Sequence, residues 1–155
     1  MTDHVPPGTQ PSDLERFLRD KIPLARAMGL RVLPSPADRL VLEAPLAPNR
    51  NHLGTAFGGS LHALPTLACY AALWIVLRDA GLDGHVVVKH SAADYRQPVT
   101  GDLRATCPRP SAAQAKAFIA DLKRHRKARM ELTATVAGTN ERPAVEFAGT
   151  FVAVL

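Results

Sequence analysis

The feature that most constrains this chain is the apolar run 61–77, which directly follows Ser60. Three residues interrupt it: His62, Pro65 and Thr66. A helix over 60–77 has no polar face, so it must be buried on every side. The run is at the short edge of the roughly 17–25 residues that a membrane span needs, and charged residues follow it at once. We therefore predict the buried central helix of a soluble protein that has no membrane partner.

The length and composition fit one ordinary globular domain. The 155 residues are 46% hydrophobic and 21% charged, and both values are close to globular averages. Residues 1–12 contain three prolines and no apolar run. We therefore predict a flexible lead-in over 1–12, without a signal peptide, and one folded domain over 13–155.

The two cysteines, Cys69 and Cys107, lie in apolar or strand-like stretches, and neither has a second cysteine at metal-ligand spacing. The sequence therefore does not match the cysteine spacing of a zinc site. Unpaired cysteines in such stretches are typical of a reducing compartment. We predict reduced core residues, no metal site and a cytoplasmic protein.

The net charge of +5 favours an anionic partner, either nucleic acid or the phosphates of a nucleotide-bearing cofactor. Aromatic residues make up only 5% of the chain, which leaves few side chains for stacking on bases. We therefore predict no nucleic-acid partner. Six of the 19 basic residues fall between Lys116 and Arg129, and a solvated surface segment also explains them.

Periodicity and turn residues predict further elements around the central helix. Helices are predicted over 13–28 and 111–126, and strands over 30–33, 39–46, 85–95, 103–107, 129–137 and 144–154. A helix that is apolar all round needs a surface that wraps it, and a strongly curved antiparallel sheet of five or six strands supplies one. The predicted class is α+β.

Two motifs carry a family resemblance. The loop 49–60 matches the pattern Gly-Thr-x-Phe-Gly-Gly-Ser at Gly54, Thr55, Phe57, Gly58, Gly59 and Ser60. The segment 94–102 contains aromatic-x-x-Pro followed by Gly-Asp, at Tyr95, Pro98, Gly101 and Asp102. In this order and spacing the motifs resemble hotdog-fold thioesterases, most closely a small bacterial family that also occurs fused behind an acetyltransferase domain.

The resemblance implies a hotdog fold, in which a curved antiparallel sheet of five to six strands wraps a long buried central helix. It implies hydrolysis of acyl-CoA, or of an acyl carrier protein thioester, by water attack. No cofactor is implied beyond the coenzyme A of the substrate. A homodimer or a dimer of dimers is also implied, because sheets of this fold commonly pair edge to edge and so protect a free strand edge.

The Gly58-Gly59 pair at the predicted helix start has a physical interpretation of its own. Glycines let an incoming group approach the backbone closely. The first turn leaves N–H groups unpaired at the positive end of the helix dipole. The amides of Gly59 and Ser60 therefore suit a thioester carbonyl and its oxyanion, and Asn51 suits the carbonyl or the attacking water. Alternatively, the glycines only fit a tight helix entry that Ser60 caps.

Two positions depart from the pattern that the resemblance implies. Phe57 stands where many relatives have His, and Thr66 stands where many have the Asp or Glu that activates water. Asp94 and His90, which strand alternation places on one face with Val88, are the candidate bases. Thr66 is a candidate for positioning the water.

Each candidate base has a structural alternative. Asp94 can form a salt bridge with Arg96, and His90 can have a purely structural role. His52 and His62 are predicted to be packing or surface residues.

Candidate substrate-binding residues fall into two groups. The apolar group is predicted to line an acyl tunnel, although its members fit a plain core equally well: Phe57, Leu61, Leu64 and Leu67. Gly58 is predicted to contact the substrate at the helix start. The basic group is predicted to bind the phosphates of coenzyme A: Arg96, Arg124 and Lys127. The alternative for the last two is a solvated helix end that complements the helix dipole.

Two other functions remain open at this level. The absent helix carboxylate favours a non-catalytic acyl-CoA sensor or carrier-protein-binding module. A hydratase or dehydratase of the same fold is the other, although it needs a His and an acidic residue facing the β-carbon. The sequence contains neither the Gly-x-Ser-x-Gly elbow of α/β-hydrolases nor a Walker phosphate loop.

Overall fold

The computed structural model describes residues 9–155. The helices are α1 (Pro11–Lys21), α2 (Pro23–Met28), α3 (Gly58–Asp79) and α4 (Ala112–His125), and a 3-10 turn spans Ala47–Asn49. The strands are β1 (Arg31–Leu33), β2 (Arg39–Ala44), β3 (His85–Tyr95), β4 (Leu103–Pro108), β5 (Lys127–Ala137) and β6 (Pro143–Val154). The six predicted strands and the central helix are confirmed, with ends displaced by a few residues.

The N-terminal helical segment is broken where a single helix was predicted over 13–28. Pro23 lacks the backbone N–H that a helix needs and disfavours helical geometry in the residue before it. Ile22 accordingly has φ −122° and ψ 97°, and the chain restarts as α2. The predicted lead-in ends early, because α1 begins at Pro11. Residues 1–8, which make up most of that prediction, lie outside the described residues.

The six strands form one antiparallel sheet in the order β1-β2-β4-β5-β6-β3. β3 pairs with β6 and is an edge strand, without a second strand neighbour in residues 9–155. The sheet curves around α3, which confirms the predicted α+β architecture.

α3 is the core of the molecule. Twelve of its 22 residues are buried, among them the fully buried Leu64 and Leu73. A buried leucine of this kind stabilises a fold by roughly 1.5–3 kcal/mol. By length and composition α3 is able to cross a membrane, but 67% of its apolar window is buried inside the fold. It is the buried central helix that the sequence predicts.

One stripe of α3 is left partly uncovered. Gly59, Ala63, Thr66 and Tyr70 recur at helical spacing, and none of them is buried. We call these four residues the uncovered stripe. It begins at the same end of α3 as the Gly58-Gly59 pair.

The two cysteines meet in the core, as their apolar surroundings predict. Cys69 on α3 and Cys107 on β4 are both buried and unbridged, and their sulfur atoms lie 3.8 Å apart. The hydrogen bond from Cys107 and burial together raise the pKa of the Cys69 thiol. A thiol in this state is a poor nucleophile, which agrees with the predicted role of Cys69 as a core residue.

Candidate active site

The start of α3 leaves three backbone amides without an acceptor. Its N-cap residue is Phe57, whose apolar side chain makes no capping hydrogen bond. The first backbone bond of the helix runs from the Leu61 N–H to the Phe57 carbonyl, at 3.0 Å. The N–H groups of residues 58–60 donate to no acceptor within residues 9–155. They lie at the positive end of the dipole, and Ser60 does not cap the helix.

The loop before α3 is held by its own asparagines. The Asn51 side-chain oxygen accepts the N–H groups of Leu53 (2.8 Å) and Thr55 (3.1 Å), and its nitrogen donates to the Thr55 hydroxyl (2.8 Å). Asn49 is buried and donates to the Met28 carbonyl at 3.0 Å. The sequence assigned Asn51 to the substrate carbonyl or the water. In the structure its side chain is engaged in shaping the loop.

An apolar groove of about 370 Å³ lies beside the helix start. Its lining comes from α2, the 3-10 turn and the first turns of α3: Leu24, Ala27, Met28, Pro48, Asn49, Phe57, Gly59, Ser60 and Ala63. The Phe57 ring, 55% exposed, lies so close to Gly59 that an added Cβ would collide with it. The groove therefore joins an apolar wall to the unpaired amides at Gly59 and Ser60.

The predicted tunnel residues are separated by the structure. Phe57 lines the groove, and Gly58 begins α3. Leu61 and Leu64 are 5% and 0% exposed and belong to the hydrophobic core. Leu61 and Leu64 therefore pack in the core, which is the alternative to lining a tunnel.

A β-bulge decides which side chains of β3 face α3. The register against β6 pairs Val88 with Phe151 and His90 with Thr150, so one residue of β3 has no counterpart. Directly opposed residues share a face of the sheet, and the bulge therefore places Val88 and His90 on opposite faces. The predicted common face of His90 and Asp94 is present, but Val88 does not share it, because the bulge lies between Val88 and His90.

Asp94 and His90 lie on the outer face of the sheet, away from α3. Ser91 and Tyr95 hydrogen-bond groups of α3, so alternation turns Asp94 and His90 outwards. The Asp94 carboxylate is 76% exposed and 3.8 Å from the Arg96 guanidinium. Neither candidate base is therefore brought to the helix start of its own chain. The alternative for Asp94, an exposed salt bridge with Arg96, is present.

The structure instead brings His62 to the helix start, together with Ser91 and Tyr95. His62 Nε2 lies 3.0 Å from Ser91 Oγ. The Tyr95 hydroxyl lies 3.4 Å from His62 Nδ1 and 3.3 Å from the Gly58 carbonyl oxygen. The Thr66 hydroxyl donates to the His62 carbonyl at 2.7 Å, so it is engaged within its own helix.

His62 was missed because a lone histidine in an apolar helix is ordinarily a packing or surface residue. Two signals were present in the sequence. His62 follows Gly58 by four residues, which is one helical turn. Ser91 and Tyr95 are an even number of positions apart on one strand, so they share a face.

Arg96 lies close to the site but is already paired. Its guanidinium is 2.9 Å from the Glu146 carboxylate. It lines a surface pocket of about 730 Å³ together with Arg142, near the β5–β6 turn. Arg96 directly follows Tyr95 and so lies near the site. Its contact with a phosphate of the substrate stays a prediction.

Arg124 and Lys127 lie at the other end of the molecule. Lys127 is opposite Val154 on β6, whereas Val145, nine residues earlier, is opposite Tyr95. A strand rises about 3.3 Å per residue, so about 30 Å separates these two ends. Arg124 is in the last turn of α4, just before Lys127. Within one chain, these two side chains therefore lie far from the helix start.

Comparison with known proteins identifies the family. The sequence profile of a family described as putative thioesterase (yiiD_Cterm) matches residues 11–155. The chain belongs to this family. The matched span includes every helix and strand from α1 to β6.

Solved structures confirm the hotdog fold of the chain. A protein of unknown function from Chlorobaculum tepidum TLS superposes with a TM-score of 0.89 at 30% identity, covering 97% of this chain and 98% of that one. A putative thioesterase from Shewanella oneidensis gives 0.83 at 26% identity, covering 94% and 97%. A Pseudomonas aeruginosa protein described as a probable thioesterase gives 0.73 at 21% identity, covering 97% and 98%, and shows the fold alone.

Proposed function

We propose that the chain is a thioesterase that transfers the acyl group of acyl-CoA, or of an acyl carrier protein, to water. The observation that carries this proposal is the set of three unpaired amides at residues 58–60 beside an apolar groove. The amides suit the carbonyl oxygen of a thioester, and the groove suits its acyl chain. Membership of a thioesterase family supports the same reaction.

The helix start stabilises the charge that develops during thioester hydrolysis. When the carbonyl carbon is attacked, its oxygen becomes an oxyanion, to which preorganised amides at residues 59 and 60 donate. One donor of this kind contributes on the order of 10²–10³ in rate. The C–S bond then breaks, the sulfur leaves as a thiol, and the acyl group is released as a carboxylic acid. Gly59 carries no Cβ, so the Phe57 ring and the amides lie side by side at the end of the groove.

We further propose that the working unit is a homodimer, or a dimer of two such dimers. β3 is an edge strand of eleven residues, and a long free edge is a template for pairing with another strand. Its exposed apolar side chains include Val87 at 54% and Val88 at 45% exposure. Pairing of β3 with its copy covers this edge.

The same pairing accounts for the distant basic residues. In an antiparallel pair of β3 strands, the His85 end of one strand lies beside the Tyr95 end of the other. Each helix start then lies near the end of the second chain that carries Arg124 and Lys127. These two side chains are therefore proposed to meet the phosphates of coenzyme A across the dimer.

The proposed setting follows from the chemistry of the chain. Coenzyme A enters as part of the substrate, and no further cofactor is proposed. Two buried, unbridged thiols suit a reducing compartment. We propose a cytoplasmic protein that has neither a nucleic-acid nor a membrane partner.

The test is a thiol-release assay on the purified protein with saturated acyl-CoA donors from short to long. We expect turnover of at least one donor, with an optimum set by the groove. The same acyl group presented on a carrier protein distinguishes the two donors by their kcat/KM values. Absence of thiol release from every coenzyme A and carrier-protein donor contradicts the proposal.

A non-catalytic acyl-CoA sensor is the second candidate. Thr66 stands where relatives carry a carboxylate, and its hydroxyl is engaged by the His62 carbonyl. Saturable acyl-CoA binding without thiol release favours this function. Hydration of enoyl thioesters, with no action on saturated ones, favours a hydratase instead.

A further inference from the structure

A polar cluster lies between the start of α3 and the inner face of β3. It consists of His62, Ser91 and Tyr95, with Ser91 Oγ at 3.0 Å from His62 Nε2. Phe147 packs against the imidazole edge to face, with 5.3 Å between ring centroids. His62 and Ser91 are half-buried and Tyr95 is 52% exposed, so the cluster is walled on one side and open on the other.

The hydrogen bonds of this cluster have one consistent direction. The Tyr95 hydroxyl has a single proton, and the Gly58 carbonyl at 3.3 Å can only accept it. We assign the tautomer in which Tyr95 donates to the Gly58 carbonyl and accepts the proton of His62 Nδ1, which lies 3.4 Å away. With Nδ1 protonated in the neutral ring, Nε2 carries the lone pair and accepts from the Ser91 hydroxyl.

We propose that Ser91 and His62 form a nucleophile–base pair that carries the thioester hydrolysis through an acyl-serine intermediate. Tyr95 is the positioning residue that holds the imidazole. A hydroxyl within hydrogen-bond reach of a base, which a third group orients in turn, is the arrangement that activates a serine. This inference rests on the proposed thioesterase function and supplies the base that Thr66 does not provide.

The pair lies within reach of the unpaired amides. His62 is one helical turn, about 5.4 Å, after Gly58. Side chains on a helix lean towards its N-terminus, so the imidazole lies over the first turn. The contact of Tyr95 with the Gly58 carbonyl fixes the cluster at the same level. In the proposed complex, a thioester carbonyl bound at residues 59 and 60 is placed beside the Ser91 hydroxyl.

The proposed reaction needs only the thioester and water. Ser91 Oγ attacks the carbonyl carbon while its proton passes to His62 Nε2, and the oxyanion rests on the amides of residues 59 and 60. As the C–S bond breaks, the imidazolium gives its proton to the departing sulfur, which leaves a free thiol and an acyl-serine ester. Water then attacks the ester, and His62 relays the proton of the water to Ser91 Oγ as the carboxylic acid leaves.

The first test compares substitutions within the pair with a matched histidine on the opposite face of β3. Ser91→Ala and His62→Gln are expected to lower kcat by about 10²–10⁴, the range that general base catalysis contributes. His90→Gln is the control, because His90 is exposed on the outer face, and it is expected to retain the wild-type kcat. Thermal unfolding midpoints near the wild-type value establish that each variant is folded.

The second test looks for the covalent intermediate. Ser91→Cys keeps a nucleophile at the same place, so mass spectrometry of the quenched reaction is expected to find the acyl group on residue 91. Ser91→Ala is expected to carry no adduct. Tyr95→Phe removes the acceptor at Nδ1 and is expected to lower kcat while KM stays unchanged, a split that a loss of substrate binding does not produce.

The outcomes distinguish a failure of the Ser91–His62 pair from a failure of the thioesterase function. A wild-type protein that releases no thiol from any donor contradicts the thioesterase function and the pair together. A wild-type protein that hydrolyses acyl-CoA, with Ser91→Ala or His62→Gln within twofold of it, contradicts the nucleophile–base pair alone and leaves the thioesterase function standing.

Discussion

At the level of single residues, the groups best placed to bind a carbonyl oxygen are backbone amides. The amides of residues 58–60 are unpaired because Phe57, an apolar residue, occupies the N-cap position where Ser, Thr, Asp or Asn would satisfy one of them. Because Gly59 has no Cβ, the Phe57 ring fits closely against the first turn of α3. Substitutions at this point therefore alter access to the amides rather than the stability of the core.

Gly59→Val is expected to lower thioester hydrolysis by about 10²–10³, the contribution of an oxyanion donor. The added side chain collides with the Phe57 ring, so the ring has to move at the helix start where the amides lie. Initial rates of thiol release at saturating donor measure the effect. Gly101→Ala is the control, because a Cβ there meets nothing within 4 Å. Full activity of Gly59→Val contradicts the assignment of the helix start.

Asp94→Asn is expected to leave the hydrolysis rate unchanged. The carboxylate is exposed on the outer face of the sheet, and its contact with Arg96 is an exposed pair worth about 0–1 kcal/mol. Steady-state kinetics and the unfolding midpoint check both statements. A loss of tenfold or more, with the fold intact, restores Asp94 as the candidate base that the sequence predicts and places it in the site of a second chain.

The residues of the candidate site were only partly predictable. The helix start at Gly58, Gly59 and Ser60 was predictable, because unpaired first-turn amides and the missing side chain of glycine are local properties of the sequence. The role of Asn51 in shaping the loop was not predictable, because its hydrogen bonds to Leu53 and Thr55 depend on the loop conformation. His62 was passed over because its partners, Ser91 and Tyr95, become neighbours only when β3 folds against α3.

Among the elements, α3 is the one that the sequence defines most clearly, since a helix with no polar face has only one place in a soluble domain. The break between α1 and α2 was predictable from Pro23 alone. The orientation of β3 was not. Three consecutive valines follow His85 at its start, so apolar alternation does not indicate its inner face. The bulge after Val88 then reverses the alternation.

Leu64→Ala is expected to destabilise the fold by about 2–5 kcal/mol. The side chain is fully buried in the core, and its removal costs transfer free energy and leaves a cavity. Chemical denaturation measures the change in the free energy of unfolding. The matched control is Leu53→Ala, since Leu53 is 74% exposed in the loop and is expected to change the stability by less than about 0.5 kcal/mol. Equal effects of the two substitutions contradict the packing of α3.

For the molecule as a whole, β3 and the uncovered stripe are the parts that one chain leaves incomplete. A free strand edge and half-covered apolar residues on α3 are both expected to find a partner. In the proposed dimer, a second copy would supply an edge of the same shape and would also bring basic residues towards the helix start. The assembly and the substrate site are therefore linked.

Val88→Lys is expected to convert the assembly into monomers, because it places a charge on the exposed part of the pairing strand. Light scattering reports the mass, which for the wild type is expected to be twice the 16.7 kDa of the chain or a multiple of that. Val154→Lys is the control, since this valine is also exposed but lies on β6, which is paired on both sides. A monomeric wild type, or a Val88→Lys variant that keeps the wild-type mass, contradicts pairing through β3.

The decisive measurement is the amount of free thiol and free acid that the purified protein forms from one saturated acyl-CoA. Cys69 and Cys107 add no thiol background, because they are buried and the pKa of Cys69 is raised by its hydrogen bond with Cys107 and by burial. A thioesterase forms one thiol and one acid for each thioester consumed, over many turnovers. An acyl-CoA that is bound but recovered intact contradicts hydrolysis at the helix start and identifies the chain as a binding module.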